Sequence, residues 1–161
     1  VLLIDGDLRK ASLSAFYGGK NARGLVHLLM NPQVSPDSVL QSGKRFPGFD
    51  LVTAGPVPPN PVALLTQGRL EELLRYWRAR YDRIILDGCP YEAVADASLM
   101  ARHADLVLYV IRCGMIEKQY VPVIQGLADK GEFRSGAVIL NAENFKNSRF
   151  HYYDEYSETD G

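Results

Sequence analysis

The sequence predicts an α/β domain built on a mostly parallel sheet with helices on both faces. Three observations carry that prediction. Short apolar runs recur along the chain and alternate with segments of helical spacing, the order expected of strands joined by crossover helices. Two of the runs, Leu2-Leu3-Ile4 and Ile84-Ile85-Leu86, end in an aspartate, and open α/β sheets bind ligands at the carboxyl ends of their strands. With 161 residues of which 47% are hydrophobic, the chain supports one domain with a substantial core.

The opening stretch, Val1-Leu2-Leu3-Ile4-Asp5-Gly6-Asp7-Leu8-Arg9, reads as a strand buried on both faces that delivers two carboxylates to its tip. Residues two apart on an extended chain point the same way, so Asp5 and Asp7 face one site, and Gly6 lets the backbone approach a ligand. Taken alone, the pattern fits a strand and an acidic turn equally well. Residues 11–19 fit a short helix or loop ending at Gly18-Gly19, residues 24–30 a short amphipathic helix, and residues 36–41 a small segment leading into a loop. A second strand is expected over 49–54, closed by Gly55-Pro56-Val57-Pro58-Pro59-Asn60-Pro61, a cluster that no helix interior or central strand accommodates.

The strongest helical pattern covers 61–80. Proline is tolerated at its start, Val62, Leu65, Leu70, Leu73, Leu74 and Trp77 supply the inward face, and Glu71 and Glu72 sit within reach of Arg75. Gly68 is its weak point. Residues 83–87 read as a third buried strand, 93–102 as a helix, 105–111 as a fourth strand, 117–130 as a helix with Pro122 near its start, and 137–140 as a fifth strand ending at Asn141.

Composition excludes some classes of function. A net charge of -1 gives no electrostatic footprint for nucleic acid. No apolar run is long enough to span a bilayer and no signal peptide is present, so the expectation is a soluble chain. Cys89 and Cys113 lack zinc spacing and are expected to be free thiols in a reducing compartment. His27, His103 and His151 form no metal spacing either.

The chemistry therefore rests on carboxylates. Asp87 at the end of its strand, together with Asp5 and Asp7, brings three to one sheet edge. Like charges about 4 Å apart repel by ~4 kcal/mol at an effective dielectric of 20, so such a cluster needs a cation or a proton. Magnesium suits it, because that ion takes one or two carboxylates, retains waters and accepts phosphate oxygens. Each aspartate singly also fits a cap or a turn.

These residues resemble a known family. Val1 to Arg9 is similar to the second Walker A-type motif (A′) of bacterial protein-tyrosine kinases, which accompany capsule and exopolysaccharide chain-length regulators. Ile84-Ile85-Leu86-Asp87 resembles their Walker B, within the wider ATPase group that includes the MinD and ParA proteins. Gly24-Leu25, the turn Pro58-Pro59-Asn60-Pro61, Tyr81-Asp82, Ala95-Asp96-Ala97 and Ala104-Asp105 fall in the family's order. The resemblance implies a three-layer P-loop NTPase-like fold over residues 1–147 and a flexible tyrosine-containing tail over 148–161. It implies ATP and Mg²⁺ as cofactors, Asp7 and Asp87 as metal ligands, Asp5, Asp7 and Arg9 as catalytic residues, and Gly88 and Asn141 beside the nucleotide. Tyr152, Tyr153 and Tyr156 would be phosphate acceptors for neighbouring subunits. The alternatives are a non-catalytic assembly module of the same machinery and a MinD-like or ParA-like ATPase.

The same resemblance implies a homo-oligomer, ring or otherwise, a transmembrane polysaccharide co-polymerase as fused or separate activator, a tyrosine phosphatase, and a cytoplasmic location at the inner face of the membrane. It also marks departures. The phosphate-cradling loop and its strand are expected upstream of Val1, so these residues alone are expected to lack the phosphate side of the site and to leave an open sheet edge. Tyr17-Gly18-Gly19-Lys20-Asn21 is no substitute, having Asn21 where a hydroxyl would ligate magnesium. Gly88-Cys89-Pro90 replaces the family's Thr-Pro-Pro, and Val62-Ala63 its Ser-Glu pair.

Overall fold

The computed structural model describes residues 1–11, 13, 23–43, 46–90, 94–115, 122, 126 and 135–142. The chain divides into two compact units, Val1–His103 and a second beginning at Ala104. In the first, β1 (Leu2–Asp5) leads to helix α1 (Leu25–Met30), a 3₁₀ turn (Pro36–Val39), β2 (Gln41–Ser42) and β3 (Asp50–Val52). Helices α2 (Pro61–Thr66) and α3 (Arg69–Arg78), strand β4 (Ile84–Asp87) and helix α4 (Val94–Ala101) complete it. The second unit contains β5 (Val107–Arg112) and β6 (Gly136–Asn141).

The first unit's sheet has the order β2-β3-β1-β4, with β1 parallel to both β3 and β4 and the two-residue β2 antiparallel at one edge. The crossover from β1 to β3 contains α1, and that from β3 through β1's far neighbour β4 contains α2 and α3. Leu2, Ile4, Leu8, Leu25, Leu28, Leu29, Val52, Leu70, Leu73 and Trp77 form one buried cluster. The core of this unit thus sits between the sheet and its helices, with β1 in the middle.

Differences from the sequence expectations have local causes. The helix expected over 61–80 is two helices, because Gly68 adopts the left-handed conformation (φ 75°) and ends one helix while starting the next. The Pro-Asn-Pro turn begins α2: the Asn60 side chain accepts the Ala63 N–H at 3.1 Å and Pro61 takes the first helical position, where no amide is needed. Strand β2 falls where a loop was expected. It is set by the Gly43 N–H donating to the Phe49 carbonyl at 2.7 Å across a tight return.

Strand β4 is only partly buried, with Ile85 exposed, because it forms an edge and has β1 as its one partner among the described residues. The strand expected at 105–111 begins at Val107, and that expected at 137–140 extends over Gly136–Asn141. These two pair in parallel as a two-stranded sheet. Most of residues 11–19, most of the helix expected over 117–130, and the tyrosine tail lie outside the described residues. Among the described residues, no helix is long and apolar enough to cross a membrane.

Candidate active site at the carboxyl ends of the parallel strands

Parallel pairing sets the site. The register aligns Leu2 with Ile84 and runs in step to Asp5 beside Asp87, so the two aspartates end adjacent strands at the same level. Neighbouring strands lie about 4.8 Å apart, and residues in register project from the same face. The ladder continues one residue further, with the Gly6 N–H donating to the Asp87 carbonyl at 2.8 Å. Space at Gly6 is tight. A Cβ there would lie 2.6 Å from Met100 Sδ and 3.0 Å from the Asp87 carbonyl oxygen.

Beyond Gly6 the chain turns at Asp7. Its Oδ1 accepts the amides of Arg9 (3.1 Å) and Lys10 (3.0 Å), and its carbonyl accepts the Ala11 N–H at 2.8 Å. An aspartate that bonds the amides two and three residues on makes an Asx turn, which explains why the chain leaves the strand here. Asp5 is fully buried and Asp7 is 4% exposed. Burial raises the Asp87 carboxyl above its ordinary range, and the charges of Asp5 and Asp7 push it further the same way. The three carboxylates therefore share one electrostatic environment.

Among the described residues, no three His, Cys, Asp or Glu side chains converge as a metal-holding group. The donors fit an ion that takes few protein ligands. Two hard carboxylates at one sheet edge suit magnesium, which takes few protein ligands, and do not match a closed zinc or calcium cage.

Arg9 is engaged with a carboxylate. Its Nε donates to Asp96 Oδ2 at 2.6 Å and a terminal nitrogen to Asp96 Oδ1 at 3.1 Å, a two-armed fork that holds the guanidinium firmly protonated. Asp96 was not singled out from the sequence as a site residue. The available signal was an acid within Val94-Ala95-Asp96-Ala97-Ser98-Leu99-Met100-Ala101, an otherwise apolar helix where a buried charge demands a partner. Gly88 follows Asp87 with open space around it, the nearest atom to a Cβ being Met100 Cε at 4.0 Å. The Cys89 thiol is buried, and burial together with Asp96 and Asp7 raises its pKa, so it stays protonated.

The other expected residues belong to the second unit or fall outside the described residues. Asn141 ends β6 in the second unit, where its Oδ1 accepts the Ala142 N–H at 2.8 Å, a local turn bond. Tyr152, Tyr153 and Tyr156 lie outside the described residues.

No protein-family model matches the chain. The crystal structure of the VpsO kinase domain superposes with a TM-score of 0.78 at 35% sequence identity, covering 89% of this chain and 70% of that one. The chain belongs to the bacterial protein-tyrosine kinases. Tyrosine-protein kinase YwqD of Bacillus subtilis is 35% identical over 154 residues, 95% of this chain and 64% of that protein. The chain thus spans just under two thirds of that curated kinase's length. The MinD cell-division ATPase of Pyrococcus furiosus superposes with a TM-score of 0.64 at 19% identity, a likeness of fold alone.

Kinase membership accounts for motifs that geometry had already placed. Gly24-Leu25 is the point where α1 docks on the end of β3, through Leu25 N–H to Thr53 O (2.8 Å) and Val26 N–H to Ala54 O (2.9 Å). Tyr81-Asp82 enters the Walker B strand with the Tyr81 hydroxyl donating to Asp50 Oδ2 at 2.7 Å, which ties that entry to β3.

Proposed function

We propose that this chain carries the magnesium and acceptor side of an ATP-dependent tyrosine autokinase of the capsular and exopolysaccharide type. The observation that carries the proposal is the parallel register that sets Asp5 beside Asp87, with Asp7 two residues beyond. Family membership supplies the reaction class, and a nucleotide follows from it.

Phosphoryl transfer needs positioning and charge stabilisation more than covalent chemistry. In this reading Asp7 and Asp87 would hold Mg²⁺. The ion would neutralise the developing charge on the phosphoryl oxygens. Asp5 orients the acceptor tyrosine and takes its hydroxyl proton; a phenol with pKa near ~10 needs that help at neutral pH. Asp5 is buried beside Asp87, which suits a base kept from bulk water. Gly88 leaves space for backbone to approach phosphate, and Asn141 contacts the adenine. Arg9 pairs with the neighbouring carboxylate of Asp96.

The acceptors are Tyr152, Tyr153 and Tyr156 of a neighbouring subunit, which requires self-association. A transmembrane polysaccharide co-polymerase, fused or separate, would hold the kinase at the inner face of the membrane, and a tyrosine phosphatase would reverse the modification.

The test is autophosphorylation of the whole protein as Asp5→Asn and Asp87→Asn variants. Phosphotyrosine formation is expected to fall about 100-fold or more in each. Undiminished transfer in either would remove that residue from the mechanism, and ATP hydrolysis with no phosphotyrosine in the unsubstituted protein would favour a MinD-like output.

A further inference from the structure

Helix α4 holds the A′ turn at two points. Met100 packs so tightly on Gly6 that a Cβ there would lie 2.6 Å from its sulfur. Asp96, one helical turn earlier and so on the same side of α4, receives both arms of the Arg9 fork at 2.6 and 3.1 Å. Both helix residues are buried, Asp96 at 3% and Met100 at 4% exposure. Asp7 lies between the two anchors.

Asp7 Oδ1 accepts the amides of Arg9 and Lys10, so the carboxylate is oriented by the backbone of those two residues. The Arg9 side chain ties that backbone to α4 through its fork on Asp96. A two-armed arginine–carboxylate pair is directional as well as strong, and a lysine would not reproduce it. Because α4 is the helix that follows β4 in the chain, one strand–helix unit supplies Asp87 directly and sets Asp7 from behind.

We propose that Asp96 is a positioning residue of the magnesium–nucleotide site, acting through Arg9 to aim Asp7 at the metal. The proposal rests on reading Asp7 as a metal-holding carboxylate. It commits Arg9 to an internal partner, so the guanidinium acts on the geometry of Asp7 and not as a phosphate ligand.

The test is Mn²⁺ binding to the whole protein in the presence of ADP, followed by loss of the free Mn²⁺ resonance in electron paramagnetic resonance. The variants are Asp96→Ala, Asp96→Asn, Asp96→Glu, Arg9→Ala, Arg9→Ala with Asp96→Ala, and Asp7→Asn. Asp96→Ala and Arg9→Ala are each expected to weaken Mn²⁺ binding about tenfold or more, the loss typical of groups that orient a metal ligand. The double variant should be no weaker than either single one, because the two side chains act as one unit, and Asp96→Glu should recover part of the loss. If Asp96→Ala fails to fold, Asp96→Asn, which keeps the volume, makes the same comparison. A lowered melting temperature with unchanged Mn²⁺ affinity makes Asp96 purely structural and overturns the proposal, as do losses that multiply in the double variant. If Asp7→Asn weakens binding and the Asp96 variants do not, Asp96 alone loses its role. If Asp7→Asn binds like the unsubstituted protein, the underlying reading of Asp7 falls with it.

Discussion

Tyr81 shows how one side chain ties the Walker B strand to the sheet. Its hydroxyl donates to Asp50 at the start of β3, and burial together with that carboxylate pushes its pKa from 10.0 to about 12. A phenol whose pKa is raised by folding stabilises the folded state fully below its unfolded value, and the contribution is lost as pH climbs through the folded one. The stability advantage of the unsubstituted protein over Tyr81→Phe is therefore expected to be constant below about pH 10 and to shrink between about pH 10 and 12. Chemical denaturation across that window measures it, and a pH-independent difference would contradict the assignment. A second residue-scale prediction concerns Gly24, whose backbone is extended (φ -156°), so its constraint is space and not strain. A Cβ would collide with the Thr53 carbonyl oxygen and lie 2.6 Å from the Gly55 nitrogen, both backbone atoms that cannot rotate away. Gly24→Ala should cost about 3 kcal/mol in urea denaturation, at the high end for overpacking. The sequence marked Gly24 only as part of a motif. Its reason was not legible there, because the atoms it must avoid come from about 30 residues further along the chain, across a contact that only the fold creates.

At the scale of elements, legibility followed how local the determining physics was. The strands ending in Asp5 and Asp87 were readable because apolar runs and their acidic ends are contiguous in sequence. The Pro-Asn-Pro turn was readable as a break, while its role as the start of α2 needed the Asn60 side chain on the Ala63 amide. The continuous helix expected over 61–80 fails at Gly68, whose left-handed φ of 75° separates α2 from α3. Nothing lies within 4 Å of a Cβ built on Gly68, so the cost of a side chain there is conformational. Gly68→Ala is expected to destabilise by about 1–2 kcal/mol, the penalty of the left-handed region for a residue with a Cβ. Denaturant titration would reveal it, and a stabilising substitution would indicate that one straight helix is accessible. Strand β2 carried no signal because two residues have no periodicity, and Asp96, marked only as part of the motif Ala95-Asp96-Ala97, gave no site role because a single acid on a helix reads as solvated until its burial is known.

Across the whole molecule, the first unit holds the A′ and Walker B carboxylates on a sheet with a closed hydrophobic core, and the second carries Asn141 on a two-stranded parallel sheet with Leu108, Val110, Val138 and Leu140 exposed. The α/β class and the two strands that end in Asp5 and Asp87 were legible from two short motifs, since contiguous apolar runs with acidic ends mark strands of a parallel sheet. The division of the strands into two sheets was not, because pairing order depends on contacts between segments far apart in sequence. The proposed role of the edge formed by Asp5, Asp7 and Asp87 is phosphate transfer to tyrosine. Phosphosite mapping by mass spectrometry of the whole protein after incubation with Mg-ATP tests it most directly, with Asp87→Asn run in parallel. The account predicts phosphate on Tyr152, Tyr153 or Tyr156 in the unsubstituted protein and none in the variant; ATP consumed without phosphotyrosine, or equal labelling of both proteins, would contradict it.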